Sequence, residues 1–506
     1  MAYIGIDIGT SGCKASVIDV DGNILAYSYK EYCLKFPKPG WVEIDPEEVW
    51  QAVKYVIYHA IRAHGDVRAL AISSFGEAVV LLDENDAVLG NSIFYSDIRG
   101  SEEIRDIITA IDREKLQKIT GMPVNPMYSA NKLIWLKKHE PEQYFRARKM
   151  MLMGDYITYK LTGERVIDLS LASRTMLLDI HEGKWSEEVA GAFGIDVSLF
   201  SKPVRSGTVI GKVSRSVAEE LCIPSDLVVI AGGHDQACAA LGAGAVFPGD
   251  SVDGMGSSEC ITIVMNKESI TSDMFEHNYC CEPFVINARY ITLAFNTTSG
   301  AAIKWYRDTI EDERFNNFKG KKHEFYSLLD SECTPGPSPL LFLPYLAGSG
   351  TPFMDAEASG ALLGIKLSTK KADIYKTILE SICFEIMHNI DTLGTCGILI
   401  DKIVAVGGAS KSDVLMQMKA NIMNMPIQTL KSAEAGTIGL GILCGYALGD
   451  YDSIENASKH MVVLGKTYYP EEKYTAAYSD KLKAYKRIYP AVKQVFGQKE
   501  KYLNWQ

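Results

Sequence analysis

The sequence predicts an α/β protein whose two related halves enclose a central cleft, and three observations lead there. At 506 residues the chain exceeds what one hydrophobic core sustains, so two large domains or three smaller ones are expected. Short apolar runs lead repeatedly into glycine-rich polar turns and then into helical stretches, as in an α/β chain. The pattern also starts again: Phe247-Pro248-Gly249-Asp250 reads as a boundary, and the turn Gly256-Ser257-Ser258 beyond it repeats the earlier Gly9-Thr10-Ser11. The expected division is a first domain over 1–246 and a second over 247–506.

Residues 2–36 predict three short antiparallel strands with turns at residues 9–12 and at Asp21-Gly22-Asn23. The first turn is dense in chemistry. Ile4-Gly5-Ile6-Asp7-Ile8-Gly9-Thr10-Ser11-Gly12-Cys13-Lys14 sets a carboxylate at a strand end, then glycines and two hydroxyls, then a lysine. Backbone N–H groups and hydroxyls of such a turn approach a phosphate closely, and Lys14 adds a point charge, so the run reads as a phosphate and metal cradle. Residues 9–12 alone would also suit an ordinary hairpin; Asp7, Lys14 and the later partner turn favour the cradle.

Asp45 next caps a helix with Pro46 at its first position, Glu47 and Glu48 in its first turn, and a stripe of Val49, Val53, Val56, Ile57 and Ile61 that Gly65 ends. Residues 68–73 form a buried strand leading into Ser74-Phe75-Gly76-Glu77, and strand ends are where α/β proteins commonly place ligands. A helical stretch over about 101–190 follows. Residues 227–231 are another buried strand, running into Gly232-Gly233-His234-Asp235-Gln236 and a helix over 237–245. The second half predicts strands within 250–264, near 289–297 and at 403–406, the last followed by Gly407-Gly408-Ala409-Ser410 and a helix from Asp413.

Composition narrows the function classes. With 47% apolar and 23% charged residues the chain is that of a soluble globular protein, and no apolar run approaches the roughly 20 residues of a membrane span. The amino terminus enters a strand at once, without signal-peptide regions, so a cytoplasmic location is expected. A net charge of −11 argues against a nucleic-acid partner, which needs a basic face. Eleven scattered cysteines without C-x-x-C spacing favour neither a disulfide framework nor a zinc site. The adjacent Cys280 and Cys281 are expected on a strand, one inward and one outward. Small-molecule chemistry remains.

The P-loop, dinucleotide-fold and nucleophile-elbow glycine motifs are all missing, and the nine histidines lack paired ligand spacing. Glycine and hydroxyl turns remain, with carboxylates at strand ends. Asp235 stands where a buried strand gives way to a helix, whose start stabilises an ionised carboxylate. Such a group can take an alcohol's proton as the oxygen attacks phosphorus. Position alone leaves a plain helix cap equally open.

These motifs, in this order, resemble the FGGY carbohydrate kinases of the actin-like ATPase superfamily, over nearly the entire chain. Residues 7–14 look like the family's first phosphate motif, Gly256-Ser257-Ser258 like its second, and Gly407-Gly408-Ala409 like its adenosine motif. The first family signature is matched by Met127-Tyr128-Ser129-Ala130-Asn131-Lys132-Leu133-Ile134-Trp135-Leu136-Lys137-Lys138-His139, and the second over residues 360–380, with Thr377 where Ala or Ser is usual. The resemblance implies an actin-like, ribonuclease H-like fold of two duplicated domains and a kinase using ATP and Mg²⁺. It implies Asp235 as general base and Gln236 as substrate ligand. Thr10, Ser11, Lys14 and Ser257 would meet nucleotide phosphates, and Asp7 would hold Mg²⁺, through water. Gly300 and Lys304 match nucleotide contacts, with lysine replacing the usual glutamine, and Gly408 and Ser412 match the adenosine-contacting pair. A homodimer is the family expectation.

Glu77 falls where glycerol kinases place an Arg-Glu pair on the substrate, but Gly76 holds the arginine position and is expected to leave room for a larger sugar. Met-His-Gly, usual here in xylulokinases, is also missing. Gly40-Trp41-Val42-Glu43-Ile44-Asp45-Pro46 and Leu343-Pro344-Tyr345-Leu346-Ala347-Gly348 lean towards the xylulokinase-like branch. Tyr95 and Asp97 lie where related kinases place further sugar contacts, though Asp97 and Arg99 could equally be a solvated surface pair. The expected acceptor is a sugar or polyol, with a ketopentose such as xylulose foremost. Another ketose, deoxyketose, polyol or aldonate, or a non-catalytic sugar-responsive binding protein, are the alternatives.

Overall fold

The computed structural model describes residues 1–496. Two mixed sheets carry the chain, and their six shared strands follow one order. In the first sheet Ala2–Ile8 pairs antiparallel with Gly12–Asp19, which pairs antiparallel with Ile24–Glu31. On its other side Ala2–Ile8 runs parallel to Val67–Ser74, then come Val228–His234, parallel, and Val209–Lys212, antiparallel. The second sheet repeats the scheme. Asp250–Met255 is flanked by antiparallel Glu259–Met265 and Tyr290–Asn296 and by parallel Lys402–Gly407 and Ile427–Leu430, with Leu464–Tyr468 closing antiparallel. A two-residue strand, Glu282–Pro283, extends its far edge. This is the two-part, duplicated architecture of the actin-like ATPases.

Burial explains the strands. Ala2–Ile8, at the centre of its sheet, is covered on both faces, while Ile24–Glu31 at the edge is largely exposed. The helix Pro46–Ala63 starts as expected, with Asp45 Oδ1 accepting from the Glu47 N–H at 3.0 Å, and its apolar stripe packs on the antiparallel strands.

Two expectations need correction. Residues 101–190 are not one helical stretch: Lys149–Leu152 is a strand paired with Val79–Leu82, and Val166–Asp168 another paired with Lys202–Val204. Their partners lie far away in sequence, so no local period announces them. Cys280 and Cys281 lie ahead of the short edge strand, and both are buried. The Cys281 N–H donates to the Gly121 carbonyl at 2.6 Å, which ties this segment of the second half to the first.

The helix Ala435–Ala447 is apolar nearly all round and correspondingly buried. It belongs to the second half yet lies on the first sheet, crossing the helix Asp235–Gly242. Glycine permits the crossing: a Cβ at Gly439 would stand 2.0 Å from the Cys238 carbonyl oxygen. Gly439→Ala is therefore expected to cost about 1–3 kcal/mol by overpacking, read as a lower midpoint in denaturant. An unchanged midpoint would show slack at the crossing. Among the described residues no helix is long and apolar enough to cross a membrane.

Candidate active site

The phosphate turn is shaped by its hairpin. Antiparallel register sets Asp7 opposite Lys14, so the flanking pair noticed in the sequence becomes a cross-strand contact, with Lys14 Nζ 3.2 Å from Asp7 Oδ2. Lys14 also meets Glu434 Oε2 at 3.1 Å, at the start of the interdomain helix. These two carboxylates outweigh burial and hold the ammonium above its ordinary range. Asp7 Oδ1 accepts from Ser73 Oγ at 2.8 Å. The Thr10 hydroxyl sits against the Tyr95 phenol, and Ser11 stays exposed at the tip.

Tyr95 opens onto a cavity of about 200 Å³ between the halves, lined by Gly76, Glu77, Arg174, His234, Asp235 and Gln236 from the first and by Ser258, Cys280 and Phe295 from the second. A wider groove of about 710 Å³ lies beside the helix Asp413–Met423 but includes none of the expected site residues, so size alone does not mark the site.

Asp235 is the first residue of its helix, with His234 at the cap position. Its Oδ1 accepts from the Gln236 N–H at 2.6 Å and faces His234 Nε2 at 3.2 Å. Oδ2 has no protein partner among the described residues. One oxygen is anchored and the other left for a ligand, which a helix cap alone would not require. Burial pushes the carboxyl up to about 6, with Asp7 and Glu77 adding to the rise and His234 opposing it. The helix start expected to favour the ion is outweighed, but the group remains mostly ionised at neutral pH.

Gly76 corrects the substrate reading. The vacant arginine position is not empty space: Arg174, just past the helix Leu169–Ser173, lies there, and a Cβ at Gly76 would stand 2.8 Å from its Cγ. Arg174 Nε donates to Glu77 Oε1 at 2.7 Å, its Nη2 meets the same oxygen, and its Nη1 lies 3.5 Å from Glu282 Oε2. An Arg-Glu pair thus exists at this cavity, its arginine delivered from 97 residues along the chain. Glu77 Oε2 has no protein partner among the described residues. Glu77 also holds φ at 67°, a left-handed conformation unfavourable for its type, of the kind found at ligand clamps. The Ser129 hydroxyl donates to its carbonyl at 2.7 Å.

Asp97, expected among the sugar contacts, has both carboxylate oxygens engaged within the protein. Its side chain is fully buried, with Oδ1 accepting from Arg99 N–H at 2.7 Å and Nε at 2.9 Å, and Oδ2 from Arg99 Nη2 and the Val42 N–H. The pair with Arg99 exists, but as a buried brace instead of a solvated one.

In the second half, the turn holding Ser257 packs against Gly300: the Gly300 N–H donates to Gly256 O at 3.1 Å and the Ala301 N–H to Ser257 O at 3.0 Å. Lys304 is exposed on the helix Gly300–Thr309. Gly408 opens a short turn after Gly407, and a Cβ there would meet nothing within 4 Å, so its face is open to a ligand. Ser412 differs from expectation. It caps the helix Asp413–Met423, accepting from the Leu415 N–H at 3.1 Å and donating to Asp330 Oδ2 at 2.7 Å, so its hydroxyl is engaged within the protein. Arg174, His234 and Glu282 were missed by sequence reasoning. The one local signal for Arg174 was a lone cation inside the apolar run Leu169-Ser170-Leu171-Ala172-Ser173-Arg174-Thr175-Met176, which buries only if paired.

Duplicated halves, a phosphate-type turn and a recessed carboxylate at a cavity of about 200 Å³ define a phosphotransferase that acts on an alcohol. Comparison with known proteins agrees. Residues 2–242 match the N-terminal domain, and residues 254–448 the C-terminal domain, of the FGGY family of carbohydrate kinases. The xylulose kinase of Staphylococcus xylosus is 30% identical over 498 residues, covering 97% of this chain and 100% of that protein. A ligand-bound xylulose kinase from Lactobacillus acidophilus superposes with a TM-score of 0.89 at 27% identity, covering 98% of this chain and 99% of that one. A gluconate kinase from the same organism gives the same TM-score, identity and coverage. The chain belongs to the FGGY family of carbohydrate kinases, enzymes that use ATP to phosphorylate sugars and related alcohols.

Proposed function

We propose that this kinase phosphorylates the primary hydroxyl of a ketopentose, with xylulose as its best acceptor and Mg-ATP as donor. The observation that carries the reading is the pair of carboxylates at one cavity, Asp235 and Glu77, each with one oxygen anchored and one without a partner among the described residues. In this mechanism Glu77 Oε2 and Gln236 hold sugar hydroxyls. Asp235 Oδ2 takes the proton of the attacking hydroxyl, whose oxygen forms a bond to the γ-phosphorus as the bond to ADP breaks. Thr10, Ser11, Lys14 and Ser257 neutralise and orient the phosphates, and Gly408 offers an open face to adenosine.

Asp7 suits a magnesium ion carried on the phosphates. A single carboxylate is the type of protein ligand such an ion takes when it keeps its waters, and the neighbouring Gly436 keeps side-chain bulk away, a Cβ there standing 3.4 Å from Asp7 Oδ2. When bound, the ion would supply charge neutralisation on the phosphates. Among the described residues no three His, Cys, Asp or Glu side chains converge as a closed metal cage, in keeping with an ion that arrives with ATP.

Charge favours a neutral acceptor over an aldonate. Around the cavity Glu77, Glu282 and Asp235 face Arg174 and His234, and Arg174 is already held by two carboxylates. The xylulose kinases among relatives and structural neighbours support the particular sugar. The test is ADP release with xylulose, other ketoses, tetritols, glycerol and gluconate. Xylulose is expected to give the highest kcat/KM. Preferred gluconate turnover would overturn the charge argument, and no sugar-dependent ADP release would favour a non-catalytic binding protein.

A further inference from the structure

We propose that His234, clamped by Glu282 from the second half, is the positioning residue of the base: it fixes which oxygen of Asp235 faces the acceptor and keeps that carboxylate ionised. The inference rests on Asp235 being the base, and it adds two residues to that role.

The ring is held at every polar atom's neighbourhood. His234 is buried at the end of the strand Val228–His234, and its backbone N–H donates to Ser170 Oγ at 2.8 Å, a hydroxyl itself bound to Asp168. Nδ1 lies 3.0 Å from Glu282 Oε1 and Nε2 lies 3.2 Å from Asp235 Oδ1. The Nδ1 contact is a hydrogen bond and the Nε2 contact a close charge pair, and a ring can present an N–H to both acids only as imidazolium, with a proton on each nitrogen. Glu282 is completely buried on the edge strand Glu282–Pro283, and its other oxygen faces Arg174. Charges therefore alternate along Glu77, Arg174, Glu282, His234 and Asp235, across both halves of the protein.

Such a chain has a specific consequence. Asp235 sits near Asp7 and Glu77, both of which oppose its ionisation, and burial opposes it further. His234 supplies the opposing charge. Asp235, Asp168, Glu282 and Arg174 are the charged groups around the ring. Burial works against its charge, but Glu282 and then Asp235 outweigh it and push the ring up to about 9, with Arg174 acting the other way. The second half thus contributes to the base through Glu282 while the base itself stands on the first.

The test is the pH dependence of kcat/KM for sugar at saturating ATP, with the wild type, His234→Gln and Glu282→Gln. The wild type is expected to show an acid limb near 6 from Asp235 and an alkaline limb near 9, where His234 loses the second ring proton and can no longer orient Asp235 while holding Glu282. His234→Gln keeps an N–H donor that can orient Asp235 but lacks the ring's charge, so it should raise the acid limb by about 1–3 pH units and, with no ring proton to lose, abolish the alkaline limb. Glu282→Gln should lower the alkaline limb, because the ring loses its partner. Unshifted limbs in folded variants would overturn the inference. Should either variant not fold, ring titration by NMR on wild-type protein labelled in histidine decides: a His234 ring that remains doubly protonated to about 9 supports the clamp, and one titrating near 6.5 overturns it. Loss of turnover in Asp235→Asn with unshifted limbs in the His234 and Glu282 variants would reject the clamp and leave the base assignment standing.

Discussion

Asp235→Asn is expected to lower kcat by about 10²–10⁴-fold while ATP still binds, because the amide preserves shape and removes the proton acceptor. Geometry makes the substitution unusually diagnostic. Oδ1 faces two donors, the Gln236 N–H and His234 Nε2. In the asparagine variant only the carbonyl oxygen can occupy that position, so the NH₂ group must turn towards the acceptor hydroxyl. A donor then stands where an acceptor is needed. Turnover should stay low at every pH, since an amide has no carboxylate form to recover. Sugar-dependent ADP release measures the loss, and calorimetric titration with ATP checks that the nucleotide site survives. Near-normal turnover would remove Asp235 from the reaction.

What the sequence reveals here follows the range of each interaction. The phosphate turn is legible because three intervening turn residues and a hairpin register bring Asp7 opposite Lys14. Asp235 is legible because a buried strand followed by an Ala-rich helix marks its position. Gly76 is not, since a missing side chain reads locally as space, and the space is filled by Arg174 from a distant helix end. Asp97 and Arg99 read equally as a sugar contact and as a solvated surface pair, because two charges stand close in a turn. They are buried because Trp41 and Trp135 bracket the guanidinium, 3.9 and 5.2 Å from its carbon to the ring centroids. Glu282 has no local signal at all, and its function depends on how the edge strand of the second half docks on the first.

Arg174→Met should produce the largest stability change, a loss of about 3–5 kcal/mol, together with loss of sugar turnover. The guanidinium is buried between Glu77 and Glu282 and lies 5.1 Å from the Tyr128 ring centroid. Removing it strands two buried acids, and breaking such a cluster costs more than the cluster contributes against an apolar substitute, because charge without a counterion is left in a poor solvent. Arg174→Lys keeps the charge but not the fork that reaches both acids, so its loss in stability should be smaller while KM for sugar still rises. Combining Arg174→Met with Glu77→Gln removes one of the stranded charges and should recover part of the stability without recovering turnover, since Glu77 Oε2 is assigned to the sugar. Denaturant unfolding measures the first quantity and sugar-dependent kcat/KM the second. If the double variant regained both, Glu77 would be a structural counterion only, and the Arg-Glu pair would have no part in holding the substrate.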